Sequence, residues 1–172
     1  MREIVTYYAN CNRQINELMN TTIAAALPRP YEVPLGGYFF KTLGQILDHL
    51  VCSDLIWMAA FSALDTAGMD LAAEVHPVPT YGDALFADFD AYLACRRNLD
   101  GFICQYMDQV DESLFSKTVD RKTRDGQLMR KAAPKALVHF FNHQTHHRGQ
   151  ISAILDGLNI ENNYSNMIFL EA

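Results

Sequence analysis

The sequence predicts an all-α fold: a four-helix bundle with long connections after the second and third helices. Two observations carry that expectation. Apolar residues recur at steps of three and four through four long segments, the period of helices that bury one face. The breaks between segments hold Pro28, Pro30, Pro34, Pro77 and Pro79, while Pro134 stands where a first-turn proline is tolerated. Carboxylate-bridged two-metal bundles need Glu-x-x-His on two helices, and no such motif occurs, which argues against a di-iron centre.

The first helix is expected over Arg2 to Leu27. Ile4, Tyr7, Tyr8, Cys11, Ile15, Leu18, Met19, Thr22 and Ile23 form its buried face, and Pro28-Arg-Pro30 stops it. A loop with Pro34 and a Gly-Gly pair follows. The second helix starts at Phe39 or Thr42 and runs to Leu64, apolar on more than one face as inside a bundle. Asp65 to Ala84 is too long for a tight helix hairpin and is expected to cross the end of the bundle. The third helix spans Phe86 to Gln109. Between Ser113 and Arg130 the helical period breaks. Leu114 to Val119 and Gln127 to Arg130 flank an Asp-Gly turn, the pattern of a small hairpin. The fourth helix covers Ala132 to Leu158. The tail, Asn159 to Ala172, turns apolar at Met167-Ile-Phe-Leu170 and is expected to dock on the bundle or on a second subunit.

The chain has 172 residues, 49% of them apolar and 20% charged, and reads as one domain over 1–172. Its net charge of -6, without a basic cluster, excludes nucleic-acid binding by phosphate neutralisation. The apolar run Leu55 to Leu64 is too short for a bilayer. The first residues lack the layout of a signal peptide, and Cys11, Cys52, Cys95 and Cys104 lack metal-finger spacing. Reduced thiols and a cytoplasmic location are the expectation.

The chemistry is concentrated in His139-Phe-Phe-Asn-His143-Gln-Thr-His146-His147-Arg-Gly-Gln150, which holds four of the six histidines. His143 and His147 lie one helical turn apart on one face, the spacing by which two imidazoles bind one divalent cation. The zinc-peptidase pattern His-Glu-x-x-His is approached, but Gln144 stands where the general base would be, and an amide cannot fill that role. A histidine cluster without a metal is the alternative. His139 is a rival ligand, since it forms its own i, i+4 pair with His143, and Gln150 projects close by. Read alone, His49 among the core positions of the second helix is a hydrogen-bonded core histidine. By rotation, His146 and Arg148 cannot both face the metal. His146 is expected against a neighbouring helix, and Arg148 paired with a carboxylate of the first or third helix.

Two stretches resemble a known family: Gln45-Ile-Leu-Asp-His49-Leu-Val-Cys-Ser-Asp54-Leu-Ile-Trp57, and Asn142-His143-Gln-Thr-His146-His147-Arg148-Gly149-Gln150. The sequence is similar to the DinB-like (DinB/YfiT) metal-dependent four-helix bundles over nearly its whole length. The resemblance implies a three-histidine site for one divalent transition metal per chain, zinc or nickel foremost, on His49, His143 and His147. Three imidazoles with open positions are a catalytic rather than a structural set. It implies a metal-dependent enzyme, a thiol-dependent transferase or a small-molecule hydrolase, with a low-molecular-weight thiol as a candidate substrate. The alternative is a non-catalytic metal-binding stress-response protein. His139, Asp54 and Gln150 are candidates for the surroundings of the site, Asp54 as a carboxylate approaching from another angle. A homodimer is also implied.

Overall fold

The computed structural model describes residues 1–71, 77–123 and 125–170. Its frame is four helices: α1 Arg2–Ala26, α2 Leu43–Ser62, α3 Phe89–Gln109 and α4 Ala133–Gly157. Helix α1 lies mainly along α3, and α2 packs against both α4 and α3. Thr42 caps α2 by accepting from Gln45 N–H, and Asp88 caps α3 by accepting from Ala91 N–H. With these caps α2 begins at Leu43, one residue after the later of its two expected starts, and α3 begins at Phe89, three residues later than the sequence suggests. Among the described residues no helix is long and apolar enough to cross a membrane.

Between α3 and α4 the chain makes a short 3₁₀ turn, Glu112–Ser116, and then a hairpin of β1 Thr118–Lys122 and β2 Leu128–Ala132. The expected hairpin is present, but its first strand starts later, because Asp111 caps the turn that takes up Leu114 and Phe115. Gly126 supplies the positive φ of the loop. Outward-facing Asp120 and Arg130 pair across the strands at 2.6 Å. Val119 is buried on the opposite face, and Arg121 lies half-buried on that same inner face.

The α1 face differs from the expectation. Ile4, Tyr8 and Leu18 are substantially exposed, while Val5, Ala9, Asn12, Ile15, Asn16, Met19, Asn20 and Ile23 are buried. The buried stripe is therefore rotated and carries three asparagines one turn apart. Periodicity counts apolar residues and misses a face whose centre is polar. Those asparagines meet buried charges. Arg148 of α4 donates to Asn12 and Asn16, Asn16 donates to Asp100, and Asn20 accepts from Tyr92 O–H. Arg96 of α3 donates to Asp54 of α2 at 2.6 Å and to Asp100 at 2.7 Å. Two arginines and two aspartates are thus held inside a bundle core, tied together by amides.

The loop before α2 is locked to the core. Tyr31 packs over Gly44, where an added Cβ would lie 2.6 Å from its ring. Its hydroxyl donates to Asp48 at 2.8 Å, and Asp48 in turn accepts from Leu85 N–H at 3.1 Å. The second half of the long α2–α3 connection is thereby drawn to the side of α2, where Tyr81 to Ala84 form a cavity wall. Residues 72–76 of that connection lie outside the described residues.

Candidate metal centre

Helices α2 and α4 bring three histidines together. His143 Nε2 lies 3.1 Å from His49 Nε2 and 3.1 Å from His147 Nε2. One ligand atom from each of the three falls within 4.8 Å of the others. The α4 pair follows from its one-turn spacing. His49 reaches it because α2 packs directly against α4 and carries His49 on the contacting side. Phe40 closes one side, its ring 5.1 Å from the His49 ring and 5.8 Å from that of His147.

The electrostatics favour neutral imidazoles. Burial, and then the neighbouring histidines, push His143 down to about 3. Burial also lowers His147, partly offset by Gln150. That glutamine accepts from His147 Nδ1–H at 2.7 Å, which leaves the Nε2 lone pair facing the other two rings. His139, lowered by burial and by the charge of Arg121, sits one turn away with its ring 6.1 Å from that of His143.

A proton cannot satisfy this arrangement. One N–H on His143 Nε2 points well at one neighbour only, and two other ring nitrogens face it. A divalent ion accepts all three lone pairs. Nitrogens bound tetrahedrally to zinc at 2.0–2.1 Å stand about 3.3 Å apart, close to the 3.1 Å from His143 to each of the other two. The three residues therefore fit a metal by number, donor type and spacing.

The centre opens on a cavity of about 550 Å³, which His49 and His143 line together with the loops. Phe39, Phe40 and Tyr81 give it an aromatic wall, His139 and Arg121 its basic groups, and Asp48 and Asp83 its acids. Cys52 is also there, but burial first, then Asp83 and Asp48, push its thiol up to about 11, so it stays protonated at neutral pH.

Several expected positions are corrected. Asp54 does not approach the histidines: it is fully buried against Arg96, on the side of α2 that faces α3. His146 is exposed, and its ring packs on that of His147 at 4.9 Å rather than on a neighbouring helix. Arg148 is buried as a helix-facing residue, but its hydrogen-bond partners are Asn12 and Asn16 of α1 and Thr145, not a carboxylate. The nearest acid of the network, Asp100, is reached through Asn16. Gln150 and His139 stand beside the three histidines, the first by hydrogen bond and the second by ring contact. Arg121 and Tyr81 were not singled out by the sequence. The alternation in Thr118-Val-Asp-Arg121, which puts Arg121 on the face of buried Val119, was the available signal.

Bundle, hairpin and histidine centre define a class, and the family comparison agrees with it. The DinB family model matches residues 1–161, and the chain belongs to the DinB family. No curated protein and no solved structure gives a significant match.

Proposed function

We propose that His49, His143 and His147 hold one divalent transition metal, zinc or nickel, and that the protein is a metal-dependent enzyme acting on a small molecule. The observation that carries this reading is the convergence of three imidazole nitrogens, with His49 and His143 in the wall of a cavity large enough for a substrate. An ion held by three histidines, with positions left open, lowers the pKa of a bound thiol or water and yields a nucleophile near neutral pH. Imidazole ligands admit either metal, and supply in the cell selects between them.

The chain's own residues have distinct parts in this scheme. Gln150 fixes the tautomer and orientation of His147. Phe40 shields one side of the centre from water. His139 is neutral at neutral pH, so it is available to take a proton from an incoming thiol or water. Between the two reactions in view, the acids favour thiol-dependent transfer over hydrolysis. Asp54 is committed to Arg96, Asp48 to Tyr31 and Leu85 N–H, Asp83 accepts from Thr80 N–H on the exposed rim, and Gln144 is an amide. A low-molecular-weight thiol needs no carboxylate base: a metal held by the three histidines would lower its pKa, and His139 would receive its proton.

The test is the metal content of protein purified without an affinity tag, followed by a thiol-dependent transfer assay with and without chelator. Near one equivalent of metal and a chelator-sensitive rate are expected. Metal without turnover across a broad thiol and electrophile panel would favour the non-catalytic metal-binding protein. Assembly as a homodimer in the cytoplasm, through the apolar tail, completes the proposal. Ile168 and Phe169 project there with about four-fifths of their surface exposed.

A further inference from the structure

Arg121 stands out among the charges of the hairpin. Its outward neighbour Asp120 has an ion-pair partner in Arg130, but among the described residues no carboxylate lies within ion-pair distance of Arg121. A strand can turn such a residue to water at no cost by placing it on the other face. Here it is on the inner face with Val119, at the wall of the cavity that holds His49, His139 and His143. Its guanidinium is held in place rather than swinging freely. It lies 4.5 Å from the centre of the Trp57 ring and 5.5 Å from that of Tyr81, and it donates to Tyr81 O–H at 3.0 Å. Its Nε also donates to the Lys122 carbonyl at 3.4 Å, so stacking and these two bonds fix the fork, and among the described residues the Nη1 donors have no hydrogen-bond partner. One aromatic ring separates it from the metal centre, since Tyr81 is also 5.9 Å from the His49 imidazole.

A second observation lies on the same wall. Ser53 is buried, lines the cavity, and its hydroxyl has no hydrogen-bond partner among the described residues. The acids of the cavity do not cancel Arg121. Asp48 is covered by Tyr31 and Leu85 N–H, and Asp83 lies on the exposed rim, where it accepts from Thr80 N–H.

We propose that the cavity takes an organic anion, with its carboxylate or equivalent acid group on the guanidinium of Arg121 and its apolar body along the aromatic wall toward the three histidines. This rests on the proposed enzyme reading for what happens at the histidine end, but the anion site itself is built from Arg121, Tyr81 and Trp57. Arg121 is thus a specificity-determining residue: it selects which electrophile or thiol enters and in which orientation.

Two titrations separate the anion site from the metal reading. In the first, metal-stripped protein is titrated with phenylacetate and with phenylacetamide, followed by NMR shifts of the Trp57 indole and Arg121 Nε–H. Phenylacetate should bind about tenfold more tightly, as a charge-assisted pair at a half-buried site provides. Arg121→Met should abolish that preference and leave the amide unchanged, and Arg121→Lys should restore part of it. In the second, zinc-loaded protein is titrated calorimetrically with 6-mercaptohexanoate and 6-mercaptohexanamide. Both thiols should bind, the acid again more tightly, and His143→Ala should remove the gain from the thiol while keeping the preference for the acid. Equal binding of acid and amide by the wild type, or a preference that survives in folded Arg121→Met, overturns the anion site. Loss of thiol binding alone, with the phenylacetate preference intact, counts against the metal reading and leaves the anion site standing.

Discussion

Arg96 and Asp54 meet at 2.6 Å in the middle of the bundle, with 2% and 1% of their side chains exposed. Neither touches the cavity. The pair joins Asp100 and, through Asn16, Arg148, so two positive and two negative groups balance inside the protein. Burial pushes Asp54 up to about 6 against the pull of Arg96, and Arg148, pushed down to about 10 by burial, remains charged at neutral pH. All four helices contribute to this network, which fixes the rotation of α4 about its own axis. His147 is the residue before Arg148, so the network also sets where the histidines point.

Asp54→Ala should therefore act on stability rather than on metal binding. It strands Arg96 with one of its two carboxylates gone, a change that costs roughly 3–5 kcal/mol when a buried pair loses one partner. Urea denaturation should show that loss, while folded variant protein should still take up a full equivalent of metal. A variant of unchanged stability that has lost its metal would return Asp54 to the site.

Metal uptake should divide the histidines of α4 sharply. His143→Ala and His147→Ala, like His49→Ala, should lose binding by a hundredfold or more at neutral pH, because two imidazoles rarely hold a catalytic ion (about 10–100-fold is lost even for a supporting residue). His146→Ala should bind as the wild type does. Gln150→Ala should fall between, since it orients His147 without facing the ion. Calorimetric zinc titration, with circular dichroism as a check on folding, measures all five. Equal losses in His146→Ala and His147→Ala would show that a different pair binds.

What the sequence made legible, and what it did not, follows from the kind of signal each feature leaves. The one-turn spacing of His143 and His147 is local, and it places both rings on one face before any tertiary contact is known. His49 lies 94 residues from His143 along the chain, and nothing local marks its role; the family likeness supplied it. The α1 face was misplaced because Asn12, Asn16 and Asn20 are polar in a pattern that counts apolar side chains. The partners of Arg148 were missed for the same reason: a buried arginine suggests an acid, and here amides stand between it and Asp100. Arg121 was hidden by the hairpin, where a two-residue alternation over five residues is a weak signal until the buried neighbour, Val119, is known.

Gly44 is predicted to be intolerant of a side chain although it lies within a helix, where alanine is ordinarily favoured. An added Cβ would sit 2.6 Å and 2.8 Å from two carbons of the Tyr31 ring and 3.0 Å from the Tyr31 carbonyl oxygen. Displacing that ring also breaks its bond to Asp48 and loosens Leu85 at the edge of the cavity wall. Gly44→Ala should cost about 1–3 kcal/mol, as overpacked cores do, read from the denaturation midpoint. A gain in stability would mean that Tyr31 moves freely.

The apolar tail gives a prediction about assembly. Met167 and Leu170 pack on the bundle, and Tyr7 O–H donates to the Met167 carbonyl, so the tail is anchored while Ile168 and Phe169 face outward. Sedimentation at micromolar concentration should give about twice the 19.5 kDa chain mass, and Phe169→Asp should shift the population toward monomer. A single species at the chain mass for the wild type would remove the tail as an interface.

The pH dependence of the metal-stripped protein follows from the sign of the His143 shift. Its folded pKa, about 3, lies below the value of about 6.5 in an unfolded chain. Between those two values the unfolded state binds more protons than the folded state, so stability is fully present above about pH 6.5 and is lost as pH falls toward 3. One group of this kind contributes a slope of at most about 1.4 kcal/mol per pH unit. His147 and His139, also lowered, act in the same direction. Asp54 acts oppositely, because a carboxyl raised by burial gains protons in the folded state first, and its contribution falls as pH rises from about 4 to 6. The wild-type profile is a sum of the two, so the informative quantity is a difference. Subtracting the profile of metal-stripped His143→Ala cancels Asp54, the other raised carboxyls Asp48 and Asp100, and the remaining histidines, and leaves the His143 contribution. That difference should grow as pH falls from 6.5 to 4.5, with the variant losing less stability than the wild type. Added zinc should steepen the wild-type profile further and leave the variant's unchanged, because an ion that binds only the folded state adds stability by mass action and is itself displaced by protons. Thermal melts across that range, with chelator and with zinc, provide the measurement; parallel profiles for the two stripped proteins would show that His143 titrates as it does in water.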